Sequence, residues 1–428
     1  MPPTFITALV AGVSLVLGGI ASAATSVTHY GITWKFDGDH PTGTFVNGEP
    51  WVVGPISVVE ITPNPAQSTS GTNNGSMVNP LPERNFGFDS NPVVTRQIRY
   101  DPTLNVALAL PVALRAGDVL VSCQSHNVYP DYLQTLCALT VLPEPPPAGS
   151  FRPGIYGADR TVRWNVGKLD FSVLRRLRLV RGTPDLQTME NMLPALPWFE
   201  WSRGWSGKHL QPTDNTATGN KQYGREIANK FGDVGLWLNL NFPDEQKRRV
   251  AIQAVQCGLD IYSYVKAGGS FYPDGGHKCG RKFPVLLAGL MLHDDDVLAV
   301  AANADTFQED AQTFFVGAAD VGRSVVPPKE TYQPQDVGLA EWGVRHRFEP
   351  QHDDRRPTST YRAVVGPAMM GEWLAASLMG AQKSWNHAAA FAYMDRNHAL
   401  YGEGTPFAKA MWLAHRAAVP PVQAAGRK

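Results

Sequence analysis

The chain has 428 residues, enough for two or three domains and at least one large core. Lysine plus arginine and aspartate plus glutamate stand at 38 each, so the formal net charge is zero. That balance lacks the basic excess of a nucleic-acid binder, yet it is compatible with an acidic ligand held by local positive charge.

The chain opens on an apolar run from Phe5 to Ile20, followed by Ala21-Ser22-Ala23, the small-residue pattern of a cleavage site. Residues 1–24 are therefore expected to be a signal peptide, although no Lys or Arg precedes the run. A single membrane anchor is the competing reading. Export predicts a secreted or periplasmic protein with no stable membrane span after signal removal.

Residues 25–145 read as β. "HYGITWKF", "TGTFVNGEPWVVGPISVVEITP", "NVALALPVAL" and "DVLVSCQS" are short runs of Val, Ile, Thr and aromatics, punctuated by Gly, Pro and Asn. This pattern predicts an N-terminal antiparallel β-sandwich. "NPAQSTSGTNNGSMVNPLPERN" reads as a long exposed loop, and "LPEPPPAGSFRPG" as a stiff linker or strap.

From 146 to 420 the character is helical. Pro243, Asp244 and Glu245 are helix-start residues, and the apolar positions Val250, Ala254, Val255, Leu259, Tyr262 and Val265 keep helical spacing up to Gly268-Gly269. Further helices are expected in "FPVLLAGLML", "DDVLAVAANA", "GPAMMGEWLAASLMG", "KSWNHAAAFAYMDRN" and "TPFAKAMWLAHRAA", where Thr405 before Pro406 is a start signal. Several are apolar nearly all round, which predicts layered helical hairpins. The expected fold class is α+β multidomain, with the sandwich followed by an incomplete α/α toroid, or helical hairpin barrel. Residues 421–428 are expected to be a disordered tail. Export also makes disulfides expected, as Cys123–Cys137 and Cys257–Cys279, with buried thiols as the alternative.

Polar groups gather with aromatics in three places. "YGREIANKFGDVGLWLNLN" offers Tyr223, Arg225, Trp237, Asn239 and Asn241. "YPDGGHKCGRK" offers His277, Arg281 and Lys282. The long segment between Phe315 and Tyr361 offers Tyr332, Glu341, Trp342, Arg345, His346 and Tyr361, with Arg362 beside it. A loop of that length inside a helical domain is usually functional or disordered. The inventory suits β-elimination on a uronic-acid polysaccharide. The sugar carboxylate must be neutralised so that charge can build on it, a base must take the carbon-bound proton, and an acid must protonate the departing oxygen. His277, Tyr332 or Tyr223 are candidate acid–base groups, and Asn239 and Asn241 candidate neutralisers. Arg281, Lys282, Arg225, Arg345, His346, Tyr361 and Arg362 are candidate substrate contacts, and Trp237 and Trp342 candidate stacking platforms.

From about Gly154 onward the chain resembles secreted polysaccharide lyases of the α/α-toroid type, such as alginate and glucuronan lyases. The resemblance is carried by the "NLN" asparagines, by His277 in "GGHKCGRK", and by a loop tyrosine. It implies cleavage of an acidic polysaccharide without a cofactor. Bland readings stand beside these roles: His277 in a tight turn, Arg281 and Lys282 paired with Asp294–Asp296, and the asparagines capping the helix at Pro243. His346, His352, Asp353 and Asp354 match no standard zinc spacing, so no metal ligand is assigned. The rival functions are an inverting glycoside hydrolase, which needs two carboxylates from among Glu341, Asp336, Glu226 and Asp233, and a non-catalytic carbohydrate-binding surface protein.

Overall fold

The computed structural model describes residues 22–68, 71–82, 84–85, 87, 100–125, 133–193, 224–271, 276, 278–304, 306–322, 331–343 and 359–420. The strands of the first part are β1 (Ser22–His29), β2 (Ile32–Thr44), β3 (Pro50–Val53), β4 (Ile56–Thr62), β5 (Ala66–Ser68), β6 (Gly71–Asn73), β7 (Ser76–Val78), β8 (Val112–Leu114), β9 (Val119–Ser125) and β10 (Leu133–Leu142). Eight of them form one sheet in the order β7-β9-β10-β3-β2-β4-β8, with β1 on β2; β5 and β6 pair separately. The sheet is mixed, because β10 runs parallel to β3 through Thr140–Trp51 and Leu142–Val53. This corrects the expected antiparallel sandwich. The parallel pair joins the β9–β10 hairpin to the early strands, giving one curled sheet, a half-barrel, in place of two facing ones.

Strand alternation splits the apolar residues between two cores. Leu120, Cys137, Leu139 and Val141 line the inner face with Ile32, Trp34, Val52, Val58 and Ile61. Val119, Val121, Cys123, Leu136 and Ala138 belong to the outer core, which is continuous with the helices. Cys123 lies opposite Leu136 and Cys137 opposite Ser122, so the two thiols point to opposite faces of the sheet. All four cysteines are buried thiols, and the disulfides expected from sequence are not formed. Cleavage at the expected signal boundary would remove Ser22 to Ala24, the first residues of β1.

The proline run at 143–147 is largely exposed, but the chain just after it is docked. Phe151, Arg152, Ile155 and Tyr156 are buried, and Arg152 pairs with Glu49, just before β3. The helices that follow are α1 (Leu186–Glu190), α2 (Gly224–Leu238), α3 (Asp244–Lys266), α4 (Lys282–Leu292), α5 (Asp295–Ala301) and α6 (Gln308–Gln312). A two-stranded ribbon, β11 (Thr313–Phe315) with β12 (Ala340–Trp342), precedes α7 (Ser359–Val364), α8 (Gly366–Leu378), α9 (Gln382–Trp385), α10 (Ala388–Tyr401) and α11 (Pro406–His415). The architecture is thus α+β. Helices α2 and α8 cross at glycines: a Cβ on Gly232 would stand 2.9 Å from the Gly371 Cα. Helix α11 starts as its sequence implies, with the Thr405 hydroxyl accepting from the Ala408 N–H. Asn386, in the left-handed region at φ 61°, divides the expected "KSWNHAAAFAYMDRN" helix into α9 and α10. Among the described residues no helix is long and apolar enough to cross a membrane.

Candidate functional site

The "CGRK" sequence passes from loop to helix at α4, and the short acidic helix α6 closes over it. Glu309 Oε1 accepts from the backbone N–H groups of Gly280 at 2.8 Å and Arg281 at 3.0 Å. Helix α4 begins here, and backbone donors at a helix start lack intrahelical partners and favour an anion. Gln308 Oε1 accepts from the Lys278 N–H at 2.8 Å. Lys282 Nζ pairs with Asp310, whose other oxygen accepts from Trp385 Nε1 at 2.8 Å. Consecutive residues of α6 therefore hold residues 278–282 at successive points. Gly280, at φ 83°, also lies flat on α2, where a Cβ would stand 2.5 Å from the Ala228 nitrogen. That close approach and the positive φ both require glycine.

This cluster is almost dry. Lys282 is 0% and Arg281 1% exposed. Burial pushes the Glu309 and Asp310 carboxyls above their ordinary range and lowers the Lys282 ammonium. Glu372 of α8 is the extreme case. Burial, then the nearby Glu309, raise its pKa well above the usual carboxylate value, against the pull of Arg281. Neither Glu372 oxygen has a hydrogen-bond partner among the described residues. Burial without partners favours the protonated form of such a carboxyl.

A second polar centre lies along the ribbon. Glu341 Oε2 receives Arg362 Nη2 at 2.7 Å and Arg396 Nη1 at 2.8 Å. Tyr332 sits beside Glu341 and Arg362; burial, then the Glu341 charge, raise its pKa strongly. The two centres are joined through α6 and β11. Gln312 Nε2 donates to the Gly343 carbonyl at 3.1 Å, and His387 Nε2 lies 2.8 Å from the Thr313 carbonyl, so that ring nitrogen carries the proton.

The structure thus brings together two of the three places nominated by sequence and splits the third. Arg225, paired with Glu226 at 2.6 Å, lies at the N-terminal end of α2, the end that meets Gly280. Asn239 and Asn241 lie at the other end, roughly 20 Å away along a helix of this length. Asn239 is buried, its Oδ1 accepting from the Arg175 N–H at 2.9 Å and its Nδ2 donating to the Gly235 carbonyl at 2.8 Å. Asn241 uses its backbone N–H on the Leu177 carbonyl at 2.7 Å. The Asn239 amide therefore pins the 175–177 segment, a structural job in place of the expected carboxylate neutralisation, whereas Asn241 is exposed and uses only its backbone there.

The expected stacking platforms are also corrected. Trp237 is fully buried, stacked on Phe242 at 4.2 Å and donating to the Pro184 carbonyl at 3.0 Å. Trp342 packs between Trp373 and Tyr393, each ring 6.3 Å away. Neither face is open to a sugar. Lys282 pairs with Asp310, away from Asp294–Asp296. Asp294 instead caps α5 and accepts from Trp164 Nε1 at 2.7 Å. His277, Tyr223, Arg345 and His346 lie outside the described residues, and of Tyr361 only the backbone, within α7, is described. Glu309, Asp310 and Glu372 were not singled out from sequence. Their signal is present: "QED" framed by Phe307 and Phe314, and a lone acid inside "MMGEWLAASL". An acid with apolar neighbours on every side of a helix is either paired in the core or held neutral there.

No protein-family model, curated protein or solved structure matches this chain.

Proposed function

We propose that the chain is an exported polysaccharide lyase that cleaves a uronic-acid-containing polysaccharide, of the alginate or glucuronan kind, by β-elimination. On this proposal the helices form an incomplete α/α toroid, with the reaction at the pole where α4 begins. The observation that carries it is the junction at α6, which ties residues 278–282 on one side to the β11–β12 ribbon and Arg362 on the other. Two segments chosen independently for the chemistry of proton abstraction become one neighbourhood.

Within it the roles divide by acidity. Tyr332, its pKa raised by burial and by Glu341, keeps its proton at neutral pH. That suits the acid that protonates the departing oxygen and not the base. The base, or the group that neutralises the sugar carboxylate, is then His277. The backbone just after it is held by Gln308 through Lys278. Arg225, at the near end of α2, supplies an accessible cation, whereas Arg281 and Lys282 stabilise the turn from within.

The test is direct. Incubation with alginate, glucuronan, pectate and glycosaminoglycans is expected to give an absorbance gain in the ultraviolet on at least one polymer, from the new conjugated double bond. His277→Ala is expected to abolish that gain while leaving circular dichroism unchanged. Reducing ends released without absorbance identify a hydrolase, and binding without any product identifies a carbohydrate-binding protein. Either outcome overturns the proposal.

A further inference from the structure

The C-terminal half of α3 and the segment 153–164 enclose a cavity of about 220 Å³ that none of the residues nominated from sequence lines. Its floor is made by Tyr156, Trp164 and Tyr262, all nearly buried. Its rim carries Asp159, Arg163 and Lys266. Asp159 is taken up by an ion pair with Arg163, which also lies over the Trp164 ring at 5.9 Å. Lys266, exposed in the last turn of α3, has no carboxylate partner among the described residues. Gly157, at φ 79°, lets the 153–164 segment turn over the helix end.

An apolar floor with a few polar groups at the edge is the usual composition of a small-ligand site. The volume is below the ordinary range of about 300–1,000 Å³ for drug-sized ligands, so the cavity takes one ring and not two. Buried Trp and Tyr rings suit the C–H groups of a saturated sugar ring, which are slightly positive and pack against the negative ring face. The rim holds two cations and one acid; Asp159 and Arg163 engage each other, which leaves Lys266 as the rim's excess positive charge. The wall behind the cavity leads back to α6. Tyr156 meets Tyr264 at 5.1 Å, Tyr264 meets Phe271 at 5.0 Å, and Phe271 stacks on Phe307 at 5.9 Å. The cavity and the α6 junction are therefore two sides of one aromatic wall.

We infer that this cavity is a saccharide subsite that binds one acidic sugar unit, with its ring over Trp164 and Tyr262 and its carboxylate on Lys266 and Arg163. The identity of the ligand as part of an acidic polysaccharide rests on the proposed lyase function; the subsite itself rests on the cavity.

Calorimetric titration with glucuronan and alginate oligosaccharides tests it, using the full chain carrying His277→Ala so that binding is read without turnover. Adding Lys266→Glu or Arg163→Ala is expected to weaken binding about tenfold each, the loss of one charge-assisted hydrogen bond. Carboxyl-reduced, neutral oligosaccharides are expected to bind weakly and alike in all three proteins. Lys266 is exposed, so its replacement leaves the fold intact. Affinity unchanged in both variants, equal binding of the neutral oligosaccharides, or no binding of any acidic oligosaccharide overturns the subsite. Lys266-dependent binding by a chain whose wild type forms no unsaturated product leaves the subsite standing and removes the lyase.

Discussion

At the scale of single residues, the interior of this protein is marked by acids without water. Asp233 of α2 is the simplest of them, because no cation among the described residues competes with burial there. Burial lifts its pKa from 3.8 to about 7, against a smaller opposing pull from the Thr405 hydroxyl, which donates to Oδ1 at 2.7 Å. The folded chain therefore holds this proton more tightly than the unfolded chain does. Stability from that proton is complete below pH 4, the unfolded value, and is lost as pH rises through about 7. The difference corresponds to about 4 kcal/mol at most. Asp233→Asn keeps an acceptor for Thr405 and removes the titration. Denaturant unfolding at several pH values is expected to show the two proteins alike near pH 4, and the variant more stable by a few kcal/mol at pH 8. Equal stability at pH 8 would mean that water reaches Asp233 in the fold.

At the scale of elements, close approach between helices determines which residues are tolerated. A Cβ on Gly258 of α3 would overlap the carbonyl oxygen of Pro284 in α4, and backbone cannot swing aside as a side chain can. Alanine in place of glycine inside a helix normally gains about 1 kcal/mol from propensity. Overpacking against backbone costs roughly 1–3 kcal/mol or more and outweighs that gain. Gly258→Ala is expected to lower the unfolding free energy by about 1–2 kcal/mol net, read by urea denaturation. A stabilised variant would show that α3 and α4 stand farther apart. These contacts also show what the sequence tells and what it withholds. The start of α3 at Pro243-Asp244-Glu245, the Thr405 cap and the apolar helices α4, α5, α8 and α11 were legible, because each signal is local. Helix α6 was not, since four polar residues around Ala311 carry no apolar periodicity and their burial comes from partners at 278–282, 343 and 385. The face that Cys137 presents was equally hidden. It follows from register against β9, and a shift of one residue would have placed it beside Cys123. In the candidate site, residue types were legible but exposure was not: Arg281, Lys282, Trp237 and Trp342 read like a binding surface and are core.

At the scale of the whole molecule, the sheet and the helices are joined by more than apolar contact. Arg152 stands between them, with Nε on Glu49 and with Nη1 and Nη2 on the two oxygens of Asp260 in α3, at 2.8 and 2.6 Å. Its own backbone N–H and carbonyl are taken by the Gln256 amide at 3.0 and 3.1 Å. Burial alone would lower the Arg152 pKa, but Asp260 and Glu49 outweigh it and hold the guanidinium charged above its ordinary value. A buried ion group of this kind adds little net stability over an apolar core, yet breaking it is expensive, because the charges left behind have neither water nor partner. Arg152→Met strands two carboxylates in the joint and is expected to cost about 3–5 kcal/mol. The triple variant Arg152→Met, Glu49→Gln, Asp260→Asn removes every charge at once and is expected to recover most of that loss. Unfolding followed by both tryptophan fluorescence and circular dichroism gives the comparison. A single variant as stable as the wild type would mean that the joint is wet, and that the apolar core shared by β9, β10 and α3 alone holds the sheet to the helices.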